Sequence, residues 1–232
     1  MPARRAHPPL ARVLPAALAI LLAAASLAFA ASAAVRAPAP PGAHATITFR
    51  KIFKSSYPEF VEIKLEDSGS GTFDIRQLED DANPQPFEAG PALVAKIFSL
   101  AAKLHDFNGI DLDLHKRIAN LGAKTFRYEK GGEAHEVTFN YTLNPAATEL
   151  LNIFEGLSRQ QQDLSDLLRT LRYDRLGVND VVVETDDDYS HNLLPEPRRL
   201  LAALDQVAAD EGIVDIARRR ARALAARIRS AQ

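Results

Sequence analysis

The chain has 232 residues, 47% of them hydrophobic and 25% charged, with 28 Lys and Arg against 30 Asp and Glu and no Cys. These fractions exclude a disulfide scaffold, a wholly disordered chain, a collagen-like repeat and a polytopic membrane protein. A formal charge of −2 gives no electrostatic reason to expect nucleic acid or an anionic membrane as partner.

Arg4, Arg5 and Arg12 precede an uncharged, Ala- and Leu-rich run from Val13 to Val35. Ala28-Phe29-Ala30 and Ala31-Ser32-Ala33 each offer the small-x-small pattern that a signal peptidase accepts. The pattern predicts a cleavable signal peptide over residues 1–33, hence export to the periplasm or beyond. The competing reading is an uncleaved N-terminal membrane anchor, since ~20 apolar residues suffice to span a bilayer. Cleavage removes three of the 28 basic residues and no acid, leaving a net charge of −5. Residues 34–45, with Pro38, Pro40 and Pro41, read as a stiff exposed linker.

Twelve of the 16 Phe and Tyr residues lie between Phe49 and Tyr141, which marks residues 46–144 as a core domain distinct from the C-terminal remainder. Thr46–Lys54 is predicted as a strand, at a sheet edge because Lys51 interrupts its apolar face. Val61, Ile63 and Leu65 alternate with charges, as do Phe73 and Ile75, with turn residues between them. Pairing Leu65 with Phe73 and Ile63 with Ile75 keeps one face apolar and sets Lys64 opposite Asp74 and Glu62 opposite Arg76. Pro91–Leu104 carries Leu93, Ile97, Leu100 and Leu104 at helical spacing. Gly131-Gly132 then joins two strands in a hairpin that faces Phe126 with Val137, Tyr128 with His135 and Arg127 with Glu136. The expected fold class is α+β: an antiparallel sheet of about five strands in the order β-β-β-α-β-β, helices on one face, followed by a long helical hairpin or arm.

Residues 145–232 form the helical C-terminal region. Leu150, Phe154, Leu157, Gln161, Leu164, Leu168 and Leu171 step alternately by four and three, a heptad seam with one polar insertion. Such a seam must be covered, either by the chain's own later helices or by a second copy. Loop-closure entropy favours the intramolecular choice, so a monomer is expected. If uncovered, the groove along Leu157, Leu164, Leu168 and Leu171 is the expected partner surface. Gly177 ends the helix, and Glu184–Asp188 reads as a solvated acidic loop. Pro195 opens a further helical region through Leu200, Leu204 and Val207. Ile213, Ala217, Ala221, Leu224 and Ile228 then stripe a last helix, whose arginines (Arg218, Arg219, Arg220, Arg222, Arg227, Arg229) lie on a solvated face.

The densest set of metal-ligand side chains is His105, Asp106, Asp111, Asp113 and His115. Imidazole and carboxylate suit a divalent cation, although the spacing fits no established metal motif. The plainer reading is a helix end, an Asn-Gly turn and a cap. No cofactor is expected, and the charge-paired outer sheet face offers no aromatic platform for nucleic-acid bases.

Arg50–Phe60, Asp74–Leu78, Arg117–Gly122, Lys124–Lys130 and Leu171–Gly177 together resemble a family of uncharacterised exported bacterial proteins of unknown function, over the span from Ile47 to Ile228. That resemblance implies export and assigns no residue a role. The expected function is a non-enzymatic periplasmic or envelope protein that binds an envelope protein or a cell-surface polymer. The alternative is a metal-dependent hydrolase or metal-binding protein that uses the 105–115 loop. Contact with a membrane is expected only if the N-terminal segment is retained.

Overall fold

Alternating apolar and polar residues build a sheet first and helices afterwards. The computed structural model describes residues 44–231. Strands β1 (Thr46–Ile52), β2 (Phe60–Glu66), β3 (Ser70–Arg76) and β4 (Gln85–Glu88) precede helix α1 (Pro91–Lys103). Strands β5 (Ala123–Lys130) and β6 (Glu133–Phe139) come next, then helices α2 (Pro145–Tyr173), α3 (Val178–Ser190), α4 (Leu201–Ala209) and α5 (Asp215–Ser230). The sheet order is β4-β3-β2-β1-β5-β6, antiparallel throughout. The fold is α+β as expected, with six strands rather than about five. The predicted signal peptide and the linker as far as residue 43 lie outside the described residues. Among the described residues no helix is long and apolar enough to cross a membrane.

The β5–β6 hairpin has the expected register, with Phe126 opposite Val137, Arg127 opposite Glu136 and Tyr128 opposite His135. Gly131 and Gly132, with φ of 60° and 89°, supply the left-handed pair that a tight turn requires. The β2–β3 hairpin is shifted by two residues from the expected register. Ile63 faces Phe73, Leu65 faces Gly71, and Glu62 lies opposite Asp74. The reason is a shorter turn: Gly69, at φ 93°, donates its N–H to the Glu66 carbonyl and closes the chain after Asp67-Ser68. A two-residue shift keeps side-chain parity, so the apolar face survives it. The Glu62–Asp74 repulsion is relieved sideways: Arg50 and Lys64 pair with Glu62, and Arg76 with Asp74.

β1 is a central strand, not an edge. Lys51, the charge that argued for an edge, reaches across the inner face to Glu155 of α2, with Nζ 2.7 Å from Oε1. The true edges are β6 and β4. β4 escapes sequence patterning because it is four residues long and contains Pro86, which an edge strand tolerates.

Ile47, Phe49, Ile63, Leu65, Phe126 and Phe139 form the buried floor on one face of the sheet. Ile97 and Leu100 of α1, and Leu150, Phe154 and Leu157 of α2, cover it. Phe126 lies at its centre, with ring centroids 5.4 Å from Phe107 and Phe139, 5.8 Å from Phe49 and 6.1 Å from Phe154. α2 starts cleanly because Asn144 Oδ1 accepts from the Ala146 and Ala147 N–H groups, ahead of Pro145 in the first turn.

α2 buries two faces in succession. Ala147, Leu150, Phe154 and Leu157 face the sheet, and Gln161 continues the same helical face as a buried polar residue. A second buried stripe runs Gly156, Gln160, Asp163, Leu167 and Thr170, again by fours and threes, roughly 140° around the helix at ~100° per residue. Leu167 on that stripe packs with α3, α4 and α5 in a second core that includes Val178, Val182, Leu204, Val207, Ala221 and Leu224. The leucine seam therefore ends as an interface where the sheet ends. Leu157 is buried in the sheet core and Leu164 and Leu171 pack against the helical core, while Leu168 is 45% exposed.

α3 occupies the segment expected to loop. Val178, Val182 and Thr185 are fully buried at i, i+4 and i+7, and Asp188 is buried with them. Tertiary contact thus overrides the weak helix preference of three consecutive valines and three aspartates. The arginines of α5 lie on a largely exposed face, as expected, and three of them also reach neighbouring helices from it: Arg227 pairs with Asp186, Arg229 with Asp205, and Arg220 with Asn179, tying α5 to α3 and α4.

At Gly156, α2 passes tightly against the chain between α3 and α4. A Cβ there would lie 2.6 Å from the Leu193 carbonyl oxygen and 3.0 Å from the Pro195 ring. Alanine is the better helix former by about 1 kcal/mol, yet Gly156→Ala is expected to lower stability by roughly 1–3 kcal/mol through overpacking against backbone. Urea denaturation checks this, and an unchanged or higher midpoint would contradict the contact.

Candidate functional site

The 105–115 segment is organised as a structural clamp. Asp113 Oδ1 accepts from the backbone N–H of Asn140 and Tyr141, and Oδ2 accepts from His115 N, pinning the loop to the end of β6. Those bonds, the Asn140 amide first, hold its carboxyl below the usual range. His115 Nε2 lies 2.6 Å from Asp111 Oδ2, an exposed pair that raises the imidazole and lowers the carboxyl. His105 and Asp106 occupy a short left-handed turn after α1 that buries Phe107. Among the described residues, no three His, Asp or Glu side chains are grouped to hold a metal ion. His135 faces Tyr128 as expected, and its buried Nδ1 has no hydrogen-bond partner among the described residues.

A different place concentrates chemistry. A cleft of about 490 Å³ opens where the end of β1 and the loop after it meet α2 and α3. Phe49, Lys51, Phe53, Ser56, Tyr57 and Pro58 line one wall. The 53–59 loop is held by its own polar groups: Ser56 Oγ lies 2.6 Å from the carbonyl oxygens of Phe53 and Pro58, and Glu59 accepts from the N–H groups of Ser55 and Leu78. Tyr57 stands out from it, 90% exposed. Across the loop a smaller groove of about 260 Å³ shares Tyr57, Pro58, Gln162 and Asp166 with the first, so Tyr57-Pro58 forms a ridge between the two.

The opposite wall carries Glu155, Arg159, Gln162, Asp163 and Asp166 of α2, with Glu184 and Asp188 of α3. Most of these charges are matched. Lys51 pairs with Glu155, Arg159 donates to Asp188 at 3.1 Å, and Asp166 pairs with Arg169. Asp163 and Glu184 make no ion pair among the described residues, and of the two only Asp163 is buried. It is 6% exposed, and its Oδ2 has no hydrogen-bond partner among the described residues. Burial, reinforced by the neighbouring Asp188 and Glu184 carboxylates, pushes its pKa up to about 7, with Arg159 opposing. Burial also raises Asp188, against the pull of the same arginine.

A buried carboxyl without a partner costs several kcal/mol if ionised, so it is held neutral or waits for a donor. Perturbed groups of this kind lining a cleft are characteristic of functional sites. Sequence periodicity passes over Asp163 because its stripe on α2 is marked by glycine, glutamine and threonine rather than by apolar residues. The 4-3-4-3 spacing of Gly156, Gln160, Asp163, Leu167 and Thr170 was the available signal.

No protein-family model matches the chain, and no curated protein matches it.

Proposed function

We propose that the chain is an exported, non-enzymatic binding protein of the cell envelope that works as a monomer and takes a segment of an envelope protein or cell-surface polymer in the Asp163 cleft. The observation that carries this reading is the Asp163 carboxyl: buried, without a hydrogen-bond partner among the described residues, and lining an open cleft. A folding core gains nothing from such a group, whereas a ligand that donates to it recovers the lost hydrogen bond. The remaining wall is preorganised, since its ion pairs and loop hydrogen bonds fix the side chains before any ligand arrives. Export itself rests on the basic n-region, the Ala- and Leu-rich run and the small-x-small sites of the N-terminus.

Photocrosslinking in intact cells tests the proposal. A photoreactive residue at Gln162, on the cleft wall, is expected to give a discrete adduct that diminishes at least tenfold with Asp163→Asn. The same probe at Glu133, on the far hairpin, gives none. Adducts of equal yield at both positions, or none at Gln162 in the envelope, would rule the cleft out as the binding site.

A further inference from the structure

We infer that the cleft recognises an organic cation, the ammonium or guanidinium end of a flexible chain, seated between the Asp163 carboxyl and the aromatic wall that faces it. This rests on the cleft being the binding site, and it adds what the ligand must carry there.

The lining holds five carboxyl groups and two basic ones. Both bases are engaged, Lys51 by Glu155 and Arg159 by Asp188, and Asp166 is held by Arg169. Asp163 and Glu184 make no ion pair among the described residues. An anionic ligand would meet like charge with no free base to receive it. A neutral donor could restore the hydrogen bond but would leave the ionised form of Asp163, which predominates above pH 7, without a counter-charge. A hard metal ion needs several converging oxygens, and no such group is assembled among the described residues. An ammonium or guanidinium needs less: one desolvated carboxylate, with which it forms a charge-assisted hydrogen bond.

The rest of the lining suits the body of such a ligand. Phe53 and the exposed ring of Tyr57 stand on the facing wall, where an aromatic face within ~6 Å of a cation is attractive. Pro58 and Val61 offer an apolar strip for an aliphatic stem. The cleft therefore presents acid at its wall and apolar and aromatic surface beside it, a match for a basic side chain or a polyamine-like group.

Cation binding requires Asp163 to give up its proton. The charged groups around it are Asp188 and Glu184 from α3, Arg159 and Asp166 from α2, and across the cleft Lys51 with Glu155. With a midpoint at about 7 in the free protein, binding should be roughly tenfold weaker at pH 6 than at pH 8.

Isothermal titration of the purified protein with four probes decides the matter: agmatine, Nα-acetyl-lysine amide, the neutral Nα-acetyl-norleucine amide, and glutarate. The expected result is binding of agmatine and the lysine probe alone, weakening about tenfold from pH 8 to pH 6. Asp163→Asn, with its fold checked by circular dichroism, should weaken both at least tenfold and flatten the pH dependence. Norleucine amide binding as tightly as the lysine probe would overturn the inference, as would cation binding indifferent to Asp163→Asn or no binding of either cation. In those cases a Gln162 crosslink that still depends on Asp163 would leave the cleft reading standing on its own.

Discussion

At pH 8, the Asp163→Asn protein is expected to be more stable than the wild type, and the advantage should vanish below pH 4. Asp163 keeps its proton in the folded protein up to about pH 7, against 3.8 in its ordinary state. Below 3.8 the carboxyl is protonated in both folded and unfolded chains and costs nothing. Between 3.8 and 7 the folded chain binds the extra proton, so stability falls as pH rises, and above 7 the full penalty is in place. The difference corresponds to an upper bound of about 4 kcal/mol, or a melting shift of up to roughly 10 °C in a chain of this size. Asparagine fills the same space without a charge to desolvate. The lowered carboxyls of Asp67, Asp111, Asp113 and Glu129 pull the other way, since they stabilise above their unfolded values and lose that contribution in acid. They are common to both proteins and cancel in the comparison. Thermal melts of the two proteins across the range from acid to mildly alkaline pH read the effect, and parallel curves would show that Asp163 is hydrated and ordinary.

Phe126→Ala is expected to cost about 3–5 kcal/mol, enough to abolish much of the margin of a typical domain. The ring is fully buried and meets Phe49, Phe107, Phe139 and Phe154, so its removal leaves a cavity bounded by the sheet, the turn after α1 and α2. Each lost aromatic contact adds to the transfer cost. Leu176→Ala, at a side chain 81% exposed, should move stability by less than about 0.5 kcal/mol. Guanidinium denaturation of both variants gives the comparison. A Phe126→Ala loss below about 1 kcal/mol would mean that the aromatic cluster is not the centre of the sheet core.

How legible each part of this architecture is in the sequence depends on the range of the signal that sets it. Gly131-Gly132 sets the β5–β6 register locally, through backbone conformations few other residues adopt, and that hairpin reads correctly residue by residue. The β2–β3 register depends on turn length. Parity alone cannot separate alignments two residues apart, and the charge repulsion in the actual one is relieved by Arg50 and Arg76. Lys51 looked like an edge marker because its partner, Glu155, is 104 residues away. β4 hid behind Pro84 and Pro86, and α3 behind valines and aspartates whose helical state depends on contact with α2 and α5.

The candidate site was the least legible part. Histidine and aspartate density singles out residues 105–115, where the carboxylates serve as local clamps. Asp163 is one acid in a polar stretch of α2, ordinary until α3 brings Asp188 and Glu184 beside it and the 53–59 loop forms the facing wall. A composition-based search finds groups that are close in sequence. This site is assembled from separate segments of the chain, and its signature is a missing hydrogen bond.

The most direct measurement is the carbon-13 NMR titration of the Asp163 side-chain carboxyl, assigned by comparison with Asp163→Asn. The expected midpoint lies near pH 7 in the free protein, moving at least one pH unit lower when the cleft is saturated with agmatine. A midpoint in the ordinary carboxylate range that agmatine leaves unmoved would contradict it, placing Asp163 in water and the binding surface elsewhere.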